Sequence, residues 1–228
     1  MRPQKLKPMN TATHSEPGPV NNRLLELGWT KEELLEAVSA SVSSRNSCTL
    51  NDPSSAPGWM AWKDGVRRIR ELGIQKGLIR DDSDGVPCVW DTKRNLKFTV
   101  VNTDAGTGIA EGQPSNRTKK GAATERLVAH NEGAFRLLLA DSLNGVALTA
   151  SPTLHEGRPV YWYLCIFAEG DVVRAELSCP LTCSGGYFTD FLERIVLIGD
   201  DDADLIRTQM PDEDGGADFE VEVVRKLS

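Results

Sequence analysis

The sequence contains no apolar run approaching the ~18–20 residues that a membrane span requires, so no transmembrane helix is expected. Its opening, MRPQKLKPMNTATHSEPGPVNN, is polar and proline-bearing, without the apolar core of an export signal. Cysteine is scarce and odd in number, five in 228 residues. Reduced thiols in a cytoplasm are the simplest expectation. There is no basic excess either. A formal net charge of −7 argues against a general nucleic-acid binder, which normally carries a basic surface. No internal repeat occurs. A compact chain of this length buries roughly 70% of its unfolded surface, so it needs neither disulfide nor metal to fold.

Specific chemical motifs are missing as well. The stretch Asn102-Thr103-Asp104-Ala105-Gly106-Thr107-Gly108 holds a Gly-x-Gly, but it lacks the Lys-Ser/Thr of a phosphate-binding P-loop. It opens no periodic helix, so a plain loop is favoured over a phosphate cradle. Asp200, Asp202 and Asp204 alternate like calcium ligands, yet the glycine and terminal glutamate of a calcium loop are absent. Cys179 and Cys183 are four apart, wider than the usual zinc pair and without a second pair. Cys48, Cys88 and Cys165, with His14, His130 and His155, are scattered over other segments, so buried thiols are the default reading. No metal or cofactor is expected.

One catalytic pattern merits weighing. Asp81, Asp82 or Asp84, followed by Asp91-Thr92-Lys93, mimics the Asp … Asp-x-Lys layout of divalent-metal nucleases, which hold Mg²⁺ and activate water. Such a pattern is common by chance in acidic chains. Asp91 and Lys93 are more simply the turn residues of a hairpin.

What is present is mostly architecture. Residues 159–179, PVYWYLCIFAEGDVVRAELSC, read as a long β-hairpin. Residues 160–168 are aromatic, β-branched or apolar throughout, the composition of a strand buried on both faces. Glu169-Gly170-Asp171 supplies the turn, and residues 172–178 alternate. Residues 1–22 read as a flexible tail, followed by one α+β domain over 23–228, divisible into 23–140 and 159–228. Thr30-Lys31-Glu32-Glu33 is a capping box with Trp29 and Leu34 as a hydrophobic staple, opening a helix that fades near Ser43-Ser44. Trp59, Trp62, Val66, Ile69 and Leu72 mark one face of a second helix, capped by Ser55 and ended by Gly73. The two tryptophans could form a stacking platform, but core packing is the favoured reading.

Two strands joined by Thr92-Lys93-Arg94-Asn95 are expected over 86–91 and 96–102, with Leu96, Phe98 and Val100 on one face. Residues 103–122 form a long loop, functional or disordered. Residues 124–139 are helical and 141–159 irregular. Ser184-Gly185-Gly186 turns the chain before a strand at 192–198, and a last strand is expected at 218–225. Helices first and strands later predict an α+β fold, with N-terminal helices packed on a mainly antiparallel β-sheet.

Binding candidates are basic. Asn116, Arg117, Lys119 and Lys120 form a cluster within the long loop, and Arg67, Arg68 and Arg70 lie off the apolar stripe of the second helix. Each suits nucleic-acid backbone or an acidic partner surface; solvated charge is the plainer reading. Against them stands an acidic run, residues 200–222, with ten acidic residues and one arginine, Arg207.

The segments WYLCIFAEGDVVRAELS, GGYFTDFLERIVLIG and FEVEVVRK, with VVNTDAGTG and NRTKKG, resemble those of an uncharacterised set of bacterial hypothetical proteins, over roughly residues 22–226. The resemblance carries no activity. It implies an intracellular bacterial protein, with mobile DNA or phage defence as the setting. The expectation is thus a cytoplasmic, non-catalytic regulatory protein that binds a protein partner, with homodimerisation through open sheet edges as a further option. The alternatives are the nuclease centred on Asp91 and Lys93, and a nucleic-acid-binding regulator.

Overall fold

The computed structural model describes residues 11–143 and 159–200. The elements run β1 (Ala12–His14), α1 (Pro17–Glu26), α2 (Lys31–Asn46), α3 (Ala56–Gln75), β2 (Ile79–Asp81), β3 (Cys88–Asp91), β4 (Leu96–Asn102), α4 (Ala122–Leu143), β5 (Val160–Glu169), β6 (Val172–Ser184) and β7 (Tyr187–Ile198). The strand expected at 218–225, nearly all of the acidic run and most of residues 141–159 lie outside the described residues.

β5 is central in a seven-stranded sheet of order β1-β7-β6-β5-β4-β3-β2. Its alternation explains why it must be covered twice. Trp162, Leu164 and Ile166 join the larger core under α1, α2 and α3. Tyr161, Tyr163 and Cys165 join a second core with Leu127 and Val128 of α4. Gly170, at φ +56°, makes the hairpin to β6.

The sheet is mixed rather than mainly antiparallel. β4 pairs β5 in parallel, as β1 pairs β7. The helices are not all N-terminal, because α4 lies in the connection between β4 and β5. A parallel pair needs a crossover that a hairpin turn cannot supply, and the long segment after Asn102 provides it.

The amino-terminal stretch departs from the expected tail. β1 lies beside β7, and α1 buries Val20 and Leu24. Pro17 sits in the first turn of α1, where its missing N–H costs no hydrogen bond. α2 begins as expected: Thr30 Oγ1 accepts from the Glu33 amide at 3.2 Å, and Glu33 accepts from the Thr30 amide at 2.8 Å. It runs on to Asn46, beyond the expected fade at Ser43-Ser44.

In α3, Ser55 holds the cap position without a side-chain bond, and Gly73 does not end the helix. Gly73 is where α3 crosses β3; a Cβ there would lie 2.6 Å from Val89 Cγ2. Gly77, at φ +81°, follows the helix end instead. The β3–β4 hairpin forms as predicted, with Leu96, Phe98 and Val100 in the helix-side core and Val101 on the α4 side. Among the described residues no helix is long and apolar enough to cross a membrane.

Candidate functional site

Because β4 and β5 run parallel, their carboxyl ends, Asn102 and Ile166–Ala168, come together at one end of the sheet. Connections diverge beyond such ends, which is why open sheets take ligands there. A cleft of about 590 Å³ opens at this point. That falls within the roughly 300–1,000 Å³ common for small-molecule sites. One wall is the corner between α2 and α3, with Ser41, Arg45, Trp59 and Trp62; the other is Arg117, Thr118 and Lys120 of the segment before α4. The amino-terminal turn of α3 reaches the rim through Ser55, Pro57 and Gly58, adding its partial positive charge. Asn102 ties that turn to the strand end, donating from Nδ2 to the Gly58 carbonyl at 2.7 Å.

The charge of the cleft is one-sided. Arg45, Arg117 and Lys120 line it, and among the described residues no aspartate or glutamate does. Among the described residues, the Arg45 and Lys120 side chains have no ion-pair or hydrogen-bond partner. Burial lowers the Lys120 amine below its ordinary value, and no carboxylate offsets this. Arg117 meets Glu169 only at 3.7 Å. Ser41 is fully buried on the same wall, and its hydroxyl has no protein partner.

The Lys120 amide donates to the Gly186 carbonyl at 2.9 Å, and the earlier part of the long loop is fixed from below. Glu176 on β6 is 0% exposed and Arg194 on β7 is 3% exposed. They pair at 2.6 Å. Glu176 also accepts from the Gly108 amide at 2.8 Å, and Arg194 donates to the carbonyls of Ile109 at 3.0 Å and Gly112 at 2.6 Å. Gly108 is at φ +73°, and a Cβ there would lie 2.4 Å from the Ile198 carbonyl oxygen. The long loop is therefore a built part of the fold. The Gly-x-Gly amide faces Glu176, which is the wrong partner for a phosphate cradle.

The predicted basic residues separate into three groups. Arg117 and Lys120 line the cleft. Asn116 is buried as an anchor, donating to the Thr118 and Gly186 carbonyls and accepting from the Phe188 amide; Lys119 is exposed beside it. Arg67, Arg68 and Arg70 lie elsewhere and face acids. Arg67 pairs with Asp64 and Glu71, Arg68 with Glu36 and Glu71, and Arg70 with Asp82 while it also donates to the Cys88 carbonyl.

Asp91 and Lys93 form a turn. Asp91 accepts from the amides of Lys93 and Arg94 and from the Arg94 guanidinium. The lysine that meets the upstream aspartates is Lys97, on β4. Its Nζ lies 2.7 Å from Asp81 and 2.6 Å from Asp84, and donates to Tyr161 Oη at 3.1 Å. Burial alone would lower the Lys97 amine, but its bonds to Asp81 and Asp84 outweigh that and raise it. Lys97 in turn holds the Asp84 carboxyl below its usual range. Among the described residues, no three His, Cys, Asp or Glu side chains cluster closely enough to hold a metal. All five cysteines are free, and burial pushes the Cys165 and Cys179 thiols up.

Sequence reasoning missed Arg45, whose only signal is a basic residue in the last turn of α2. It also placed Trp59 in the core with Trp62. Trp62 packs there, but Trp59 is 56% exposed at the cleft. Its turn of α3 reaches the strand end, so little sheet is left beneath it. Compared with protein-family models, curated proteins and solved structures, the chain matches none.

Proposed function

We propose that this protein is a non-catalytic binding protein that captures an anionic group in the cleft between the α2–α3 corner and the segment preceding α4. The observation that carries this reading is a set of three cations in one cleft, two of them without partners and none beside a lining carboxylate among the described residues. A withdrawn ammonium without a counter-ion is costly, and an incoming anion relieves that cost through charge-assisted bonds. Among the described residues the lining holds no carboxylate, histidine or thiol; its cations and hydroxyls supply the charge and hydrogen bonds that hold an anion. A regulatory role inside a bacterial cell, exerted on a partner that carries or competes for the anion, is the setting we assign.

Thermal unfolding with inorganic pyrophosphate tests it. At about a hundred times its dissociation constant, pyrophosphate should stabilise the protein by about 2.7 kcal/mol. Arg45→Gln combined with Lys120→Met should remove that shift. If millimolar pyrophosphate, phosphate and sulfate all leave the unfolding curve of the parent protein unmoved, the proposal fails.

A further inference from the structure

We infer that the anion this cleft takes is the phosphate of a nucleotide, with the base stacked on Trp59; this rests on the reading of the cleft as an anion site. Three observations point to a phosphate joined to a flat ring. First, Trp59 is exposed where the other tryptophans are withdrawn: Trp29 and Trp162 are buried, Trp62 is packed against the core, and Trp90 is half-buried beside Lys97. An indole more than half exposed at the rim of a cationic cleft leaves ring surface in water, and every nucleobase offers a π-face for it.

Second, the cleft is too roomy for a bare phosphate or sulfate. Its volume of about 590 Å³ suits a nucleotide-sized ligand. Ser54, Ser55 and Thr118 supply hydroxyls around it, suited to a sugar and phosphate oxygens.

Third, the arginines further along α3 are balanced by acids, unlike Arg45 and Lys120 of the cleft. Arg68 and Arg70 on α3 are tied to Glu36, Glu71 and Asp82, and Arg67 to Asp64 and Glu71. An extended acidic peptide would need a longer cationic track than this. A ligand that concentrates its charge in one group and is apolar beside it fits better.

The shared chemistry is a nucleoside phosphate, which comes either free or as the phosphorylated end of a strand. Calorimetry on the full chain separates these, using inorganic triphosphate, ATP, UTP and a 5′-phosphorylated dinucleotide. Nucleotides should bind about tenfold or more tightly than inorganic triphosphate, the stacking gain expected for one base. Trp59→Ala should cost about that factor for nucleotides and leave inorganic triphosphate unchanged, while Trp59→Phe retains most of it. Lys120→Met should weaken both. Preference for ATP and UTP assigns a free nucleotide, and preference for the dinucleotide assigns a strand end; either sustains the inference. Inorganic triphosphate binding as well as any nucleotide, a silent Trp59→Ala, or polyglutamate displacing the nucleotide at equal charge would overturn the nucleotide assignment and leave the anion site standing. Failure of every phosphate to bind would instead remove the anion site itself.

Discussion

Lys97 and Lys120 are both withdrawn from water, and their amines move in opposite directions. Lys97, 4% exposed, is met by Asp81, Asp84 and Tyr161 and is raised. Lys120 meets no carboxylate among the described residues and is lowered. Desolvation acts on both in the same sense, so the partner decides the sign. Where the protein supplies the counter-charge, the lysine closes a seam, here between the β2–β3 turn and β4. Where it does not, as at Lys120, desolvation alone sets the direction. The contrast extends to the arginines: Arg194 is enclosed by Glu176 and three carbonyls, while Arg45 opens on the cleft.

The largest expected effect is at the Glu176–Arg194 pair that anchors the 108–112 part of the long loop. Glu176→Ala strands Arg194 and frees the Gly108 amide, and should cost about 4 kcal/mol in urea unfolding. It should weaken pyrophosphate binding too, although Glu176 lies outside the cleft. Unchanged stability would mean that the loop stands without this anchor.

Lys97→Ala comes next, at about 3 kcal/mol, the low end for a broken buried pair because Asp84 is partly open to solvent. Its pH signature distinguishes it. The raised Lys97 contributes fully below its unfolded value of about 10.4, and that contribution is lost as pH rises through the folded value. Tyr161, raised by burial, acts in the same direction. The lowered Asp84 contributes above about 3.9 and loses its share as pH falls through its folded value. Stability should therefore decline at both extremes, and Lys97→Ala should flatten the alkaline limb. An alkaline limb identical to that of the parent would break the comparison on this side.

Lys120→Met is the smallest change and has the opposite sign. A lowered lysine costs stability below its folded value, and the cost fades as pH rises toward the unfolded one. Removing it should stabilise the ligand-free protein by about 1 kcal/mol, or about 2–4 °C. A structural lysine would give a loss instead.

Much of the local structure was legible. Thr30 and Glu33 announce α2 because a capping box acts over three residues. The unbroken apolar run of β5 states that both faces are covered. Asp91 and Asn95 state a turn, and Asn95 does take φ +55°. Other readings failed where one residue type serves two purposes. Pro17 marks a helix start as readily as a break, and Gly73 marks a close crossing as readily as a helix end. Of the cleft, Arg117 and Lys120 were visible as a basic cluster. Arg45 and the exposure of Trp59 were not.

The sequence by itself determined where most helices and strands begin and turn, because caps, alternation and turn residues act between near neighbours in the chain. It also determined that two layers must cover the central strand. Only the tertiary structure decided that residues 96–102 lie parallel to 160–166, with a long crossover between them. That pairing brings two strand ends together and sets Arg45, Trp59 and Lys120 around one opening. It also decided which lysine receives carboxylates and which receives none, since a counter-ion is set by proximity in space and not by spacing along the chain.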